Sequence, residues 1–413
     1  MKRREFLKLG GAGVVATGAL SGTARGHLAP VTIDLTINSS RQLLIDGKYV
    51  NVLTFSSPTI STRVPGPVLR VTEGDEVIVN VTNMRPEPHR FEIGGIPESK
   101  LDILGNDKKT VKFTAPGAGT YLYYDNSHGS THLYRLLGLH GAFIVHPAAG
   151  NGMSAGGGTP TITPYSMPRY AGSPAAMSVS KVFEAFGGDT GRFSGGQWVP
   201  CPLDSERSTQ ELIWLFSDID PRLNALITSA PISAASPTAA ALMASYLPRY
   251  FTINGRSGYD LMHTPSVEIK NYIGEPTLIR TMNAGLAHHS THIHGNHLLE
   301  LAHSILTPDA FVPIMGGPPG NGQVVLHDNI WERDVWPTSP MQIRDMLLPM
   351  EMPPDIPNWD KFATGQSQEP FPLRYVMHDH CELGTTAAGG NYPQGAVLHW
   401  EISGPKGGRG RIT

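Results

Sequence analysis

Apolar residues recur at every second position through most of this chain, as at Val77, Val79 and Val81, and almost nowhere at the 3.6-residue spacing of a helix. From Val31 to Pro147, short β-branched runs such as Val68-Leu69-Arg70-Val71 and Thr110-Val111-Lys112-Phe113 are punctuated by Gly, Pro and Asn. β-Branched side chains fit a pleated, half-buried surface and the punctuating residues fit turns, so the pattern predicts an all-β sandwich over residues 30–148. A second series, with Glu211 to Phe216, Tyr250 to Ile253, Thr277 to Met282 and Val397 to Ile402, predicts another over 209–405. Residues 149–208, rich in Gly, Ser, Pro and Thr, read as a long loop-rich connector. Ala and Leu between Ser233 and Tyr246 predict one short helix, and the basic, Gly-rich residues 406–413 a flexible tail.

The two series echo each other. Gly74 to Asn83, with His89 six residues beyond, parallels Gly274 to Asn283, with His289 six beyond. Gly119 to Asp125 likewise parallels Pro372 to His378, and a duplicated sandwich accounts for both matches. The chemistry is lopsided, because the second copy holds His292-Ile293-His294 and His378-Asp379-His380 where the first has scattered histidines such as His89, His128, His132 and His140.

On an extended strand, residues two apart point to one face, so each H-x-H pair throws both imidazoles the same way. Imidazole suits zinc, copper, iron or nickel, and two converging pairs supply four nitrogens. One such pair among 17 histidines carries little weight, whereas two inside apolar stretches point to a metal. Met341, Met346, Met350 and Met352 hold sulfur that suits Cu(I), but methionine also fills core gaps, which is the plainer reading. Asp218, Asp220, Asp334 and Glu300 lack the spacing of a paired-carboxylate hydrolase, and there is no nucleophile elbow, P-loop or dinucleotide fingerprint.

Lys2-Arg3-Arg4-Glu5-Phe6-Leu7-Lys8, followed by a small apolar run from Leu9 to Leu20, reads as a twin-arginine signal peptide within residues 1–29. The run is Gly-rich and short for a bilayer, so no stable membrane anchor is expected. Export to the periplasm or the extracellular medium follows, by a pathway that carries proteins already folded. The segment through Ala24 carries Lys2, Arg3, Arg4 and Lys8 against Glu5, so its removal takes the formal charge from −3 to −6. No basic patch remains to suggest nucleic acid. Cys201 and Cys381 would meet an oxidising compartment, where a disulfide between them is open.

Four stretches carry a family resemblance. Pro65-Gly66-Pro67-Val68-Leu69-Arg70-Val71 with Gly74-Asp75 looks like a first-domain entry, and Gly138-Leu139-His140-Gly141-Ala142-Phe143-Ile144-Val145 like that domain's closing strand. His289-Ser290-Thr291-His292-Ile293-His294-Gly295 matches H-P-x-H-x-H-G with Ser at the proline, and His378-Asp379-His380, followed by Thr386 to Gly395, is similar to a final H-C-H motif. Together they resemble the multicopper oxidases, which oxidise substrates at a blue copper and reduce dioxygen at a trinuclear cluster. The resemblance implies two cupredoxin-like Greek-key β-sandwiches, copper as cofactor, a small-molecule or metal-ion reductant, and dioxygen as acceptor. It implies His292 as a type 2 copper ligand, His294, His378 and His380 as type 3 ligands, and His289 as a histidine of the blue-copper site. Two-domain relatives build their cluster between subunits, so it also implies a homotrimer, with His89 and His128 as lesser candidates to complete the centre.

The match breaks in two places. Where the family has H-W-H-G this chain has His89-Arg90-Phe91, and where it has H-S-H there is Asp125-Asn126-Ser127-His128, so eight cluster ligands cannot come from the usual positions. Asp379 replaces the blue-copper cysteine, and a carboxylate cannot reproduce a copper–thiolate bond. Cys381 with His289 is one substitute; a buried Asp379 held by hydrogen bonds, His289 among the donors, is the plainer reading. The expected function is an exported copper-dependent oxidoreductase without its type 1 site. The rival is a copper-binding cupredoxin-like protein or pseudoenzyme without turnover. A nitrite reductase relative fits less well, since its electron-entry cysteine is also missing.

Overall fold

Alternation along the strands sets the faces of the sheets. In Glu76–Asn83, Val77, Val79 and Val81 turn into the core while Ile78, Asn80 and Thr82 stay half-buried. The computed structural model describes residues 30–58, 63–127, 132–146, 211–273, 277–305, 325–351 and 371–404, with short strand pairs at 153–154 with 160–161 and 193–194 with 197–198. The expected signal segment, His128, Cys201, Met352 and the C-terminal tail lie outside the described residues.

In the first module, a sheet ordered Tyr49–Ser56, Val31–Leu43, Glu76–Asn83, Lys108–Thr114 shares a core with one ordered Leu69–Thr72, His140–His146, Gly119–Asp125, His89–Ile93, Ile96–Ile103. In the second, six strands run in the order Tyr250–Ile253, Glu211–Ile219, Thr277–Asn283, Gln342–Leu348, Leu298–Ile305, Val325–Arg333. They pack on five, Lys270–Tyr272, Val397–Gly404, Leu373–Asp379, His289–Ile293 and Val335–Thr338. The parallel pairing of Val31–Leu43 with Glu76–Asn83 recurs between Glu211–Ile219 and Thr277–Asn283.

Pairing also corrects the internal alignment. Phe91 lies opposite Asp125 and Thr291 opposite Asp379, so Asp125 corresponds to Asp379, one residue away from the expected match with His378. A slip of one residue exchanges the two faces of a strand, which a match of letters alone does not register.

Strands between the modules are buried on both faces, which explains their unbroken apolar character. Along Glu211–Ile219, Leu212, Trp214 and Phe216 enter their own core, while Ile213 and Leu215 pack with Leu122, Tyr124, Ala142 and Ile144 of the first module. Within this interface Arg280 Nε donates to Glu211 Oε1 at 2.6 Å and Arg280 Nη1 to Thr120 Oγ1 at 2.7 Å. Burial opposes ionisation of Glu211, but Arg70 and Arg280 hold its pKa far below the usual range.

The predicted helix spans Pro237–Ala244, capped by Ser236, whose side chain accepts from Ala239 N–H. It belongs to an excursion that seals the first module: Leu223, Ile227, Ile232 and Ala239 join that module's core, and Arg85 Nη1 donates to Thr228 O at 2.7 Å. The five-stranded sheet of the second module is outermost, with Val376 46% exposed on its free face.

Candidate metal centre

His289–Ile293 and Leu373–Asp379 are antiparallel neighbours, with His292 opposite His378. On the first, His289, Thr291 and Ile293 point inward, so His292 and, past the strand end, His294 face out. On the second, Met377 and Asp379 point inward, leaving His378 and then His380 on the same outer face. The four rings gather there: His292 lies 4.5 Å from His294, 5.4 Å from His378 and 4.8 Å from His380, centroid to centroid. Nitrogens of His292, His378 and His380 fall within 4.8 Å of one another. After His294 the chain turns at Gly295, with φ +84°, where a Cβ would stand 2.7 Å from the Tyr375 ring.

Two of the rings are held in one tautomer. His292 Nδ1 donates to Asp334 O at 2.9 Å and His378 Nδ1 to Asp379 O at 3.2 Å, so both present a bare Nε2. His378 Nε2 then meets His294 Nε2 at 3.3 Å. Two nitrogens bound to one metal at about 2.0–2.1 Å and a roughly tetrahedral angle stand about 3.3 Å apart, so the pair is spaced as a cation would need. Burial lowers the pKa of His294 and His378, and the neighbouring imidazoles push the same way.

Beneath this face, Asp379 is 2% exposed. Its Oδ2 accepts from His289 Nδ1 at 2.6 Å, and its Oδ1 from the N–H groups of Ser290 at 2.8 Å and Cys381 at 2.9 Å. His289 Nε2 faces Asp218 Oδ1 across 3.7 Å. Burial alone would lower the His289 pKa; the flanking Asp218 and Asp379 carboxylates outweigh it and raise it to about 9. The ring is therefore an imidazolium with Nδ1 committed to a carboxylate. Cys381 is a free thiol, and burial followed by the Asp379 charge pushes its pKa up.

The first module repeats the device. His89 Nδ1 donates to Asp125 Oδ2 at 2.6 Å, and its Nε2 faces Glu87 Oε1 across 3.6 Å. The structure thus places His89 inside the first sandwich, 1% exposed against Tyr134, and does not bring it to the four outer histidines. The strand pleat sets this: His89 shares the inward parity of Phe91 and Ile93. By the same register, the positions of His292, His294, His378 and His380 are taken by Glu92, Gly94, Tyr124 and Asn126.

Met341, Met346 and Met350 are buried in apolar clusters. The sequence reading did not connect Asp218 and Glu87 to the buried imidazoles. Glu87 sits two residues before His89, a visible spacing, but Asp218 lies on a strand 71 residues from His289 and nothing local announces it.

Residues 48–150 match a family model described as multicopper oxidase. Over 122 residues the chain is 31% identical to the multicopper oxidase MmcO of Mycobacterium tuberculosis, a match covering 27% of this chain and 23% of that protein. Over 138 residues it is also 31% identical to the copper-containing nitrite reductase of Rhizobium sullae, covering 31% of this chain and 34% of that one. The aligned segments thus span only about a quarter to a third of those relatives. The fold of the blue copper oxidase of Nitrosomonas europaea superposes with a TM-score of 0.56 at 20% identity, over 90% of this chain and 86% of that one. The paired sandwiches thus give the chain a cupredoxin-like fold, and its residues 48–150 are similar to multicopper oxidases.

Proposed function

We propose that the protein is an exported, copper-dependent oxidoreductase whose metal centre is held by His292, His294, His378 and His380. The observation that carries this reading is the 3.3 Å approach of the Nε2 atoms of His294 and His378, with the latter's proton fixed on Nδ1. Copper bound there would supply one-electron chemistry between a small-molecule or metal-ion reductant and dioxygen. The chain's own part is to aim His292 and His378 through the carbonyls of Asp334 and Asp379. His294 and His380 are the exposed members, so the centre opens outward, where a neighbouring copy in a homotrimer would close it.

Electron entry differs from that of a blue-copper protein. Asp379 fills the thiolate position and engages His289 Nδ1, so the interior site is an internal ion pair instead of a copper ligand set. This same feature favours a second reading, a copper-binding protein without turnover. Copper loading of the purified protein separates the two. Two or more coppers per chain, a coupled EPR-silent pair and oxygen uptake with phenols, metal ions or amines support the oxidase; about one copper with no uptake for any donor supports the binding protein. An intense band near roughly 600 nm, the mark of a thiolate-rich blue site, would overturn the loss of type 1 copper.

A further inference from the structure

A buried carboxylate that accepts three hydrogen bonds lies directly behind the histidine face. We infer that Asp379 is the positioning residue of the metal centre, a clamp that holds the two histidine-bearing strands in fixed relation; this rests on the metal reading above. Its Oδ1 accepts from Ser290 N–H on one strand and from Cys381 N–H just past His380 on the other, at 2.8 and 2.9 Å. Its Oδ2 accepts from Nδ1–H of His289, which begins the strand that carries His292. The Asp379 carbonyl fixes the His378 ring, and His380 N–H donates to Ser290 O at 2.7 Å. The Asp379 side chain thus bridges both H-x-H segments, and its carbonyl holds a ring of its own segment.

The clamp is itself supported. Behind His289, Asp218 Oδ2 accepts from the N–H groups of Leu286 at 2.8 Å and Ala287 at 2.9 Å, which holds Oδ1 3.7 Å from His289 Nε2. Gly384 leaves the room the carboxylate occupies, since a Cβ there would come 1.9 Å from Asp379 Oδ2. A ligand ring must be held to within a fraction of an ångström to keep metal affinity, and supporting partners set that precision.

The first module supplies an internal control. Asp125 accepts from His89 Nδ1 at 2.6 Å, Arg90 N–H at 3.3 Å and Ser127 N–H at 2.7 Å, the same three partners by position. Above it, however, stand Glu92, Gly94, Tyr124 and Asn126 in place of imidazoles. A carboxylate that serves only the fold gives equivalent consequences in both copies. A positioning carboxylate changes the metal in one copy alone.

The test compares the full chain with Asp379→Asn, Gly384→Ala and Asp125→Asn, each titrated with Cu(II) and read by affinity and EPR. Asn keeps an oxygen for the two N–H groups but loses the charged partner of His289, while the alanine displaces the carboxylate without altering it. Both second-module changes are expected to weaken copper binding about 10–100-fold and to shift the Cu(II) g and hyperfine values. Asp125→Asn is expected to lower thermal stability while leaving affinity and spectrum as in the wild type. Unchanged affinity and spectrum in Asp379→Asn, or equal changes in Asp125→Asn, overturn the clamp with the metal reading intact. A wild type that takes up no copper overturns the metal reading itself, and the clamp with it.

Discussion

The first and second modules carry the same buried carboxylate–imidazole pair, His89 with Asp125 and His289 with Asp379, yet only the second displays histidines on the sheet face above it. Packing accounts for the difference. In the first module that face is spent on assembly, because Leu122 and Tyr124 lie in the apolar layer between the modules and the strand Gly119–Asp125 is buried throughout. The equivalent strand Leu373–Asp379 shares no such layer among the described residues, and its outer positions Arg374, Val376 and His378 are exposed or half-buried. A constellation of side chains is held most precisely on rigid elements, and among the described residues the second module's outer sheet offers such a face with exposed positions.

Replacing the face residues tests this division with the largest expected effect. His292→Ala or His378→Ala should weaken copper binding by more than the roughly 100-fold that losing a supporting partner can cost. Glu92→Ala and Asn126→Ala, at the matching places of the first copy, should leave it unchanged in the same titration. The layer between the copies comes next. Arg280 is fully buried between Glu211 and Asp345, so Arg280→Met removes the cation the two share, leaving Glu211 to Arg70 and Asp345 to Thr120, and should cost about 3–5 kcal/mol in urea unfolding. A split of the single transition into two would show that the network couples the modules.

The comparison also shows what sequence can carry. The two sandwiches, their duplication and the H-x-H pairs were legible because each depends on period-two spacing, which is local. The one-residue error between Asp125 and His378 arose because registering two copies needs the hydrogen-bonded partners, Phe91 with Asp125 and Thr291 with Asp379. His89 looked like a spare ligand because a lone histidine carries no parity until its strand is placed. Asp218 reaches His289 only through the pairing of Glu211–Ile219 with Thr277–Asn283, a contact that no spacing encodes.

A smaller effect is expected from pH, with opposite signs inside the sandwiches and toward the interface. For His289 the folded pKa, about 9, lies above the ordinary 6.5, so its stabilisation is complete below pH 6.5 and is lost as pH rises through 9. His89 acts in the same direction, since Asp125 and Glu87 overcome burial to raise it. Burial instead lowers His140 and His146 to about 4, so each favours the fold above pH 6.5 and that contribution is lost as pH falls toward 4. At about 1.4 kcal/mol per pH unit, the alkaline loss at His289 approaches about 3 kcal/mol. Chemical unfolding of the copper-free protein between pH 4 and 10 should therefore trace a dome, and Asp218→Asn should flatten its alkaline side. An alkaline side as steep in Asp218→Asn as in the wild type would remove Asp218 from the account.

The smallest effect concerns the seal that the second module places on the first. Ser236 caps the helix Pro237–Ala244 by accepting from Ala239 N–H at 3.1 Å, and Ala239 is buried in the first module's core. Ser236→Ala leaves that N–H without its partner and should cost about 1 kcal/mol. Because the cap lies in the second module's sequence while its helix packs on the first module's core, the loss should appear as faster amide exchange in first-module strands near Tyr134, whose hydroxyl donates to Ile232 O at 2.8 Å. Exchange around His292 and His378 should stay as in the wild type, because the outer sheet shares no core with this helix. Faster exchange at the histidine strands instead would mean that the excursion supports the metal face, and the separation of the two modules' roles would not stand.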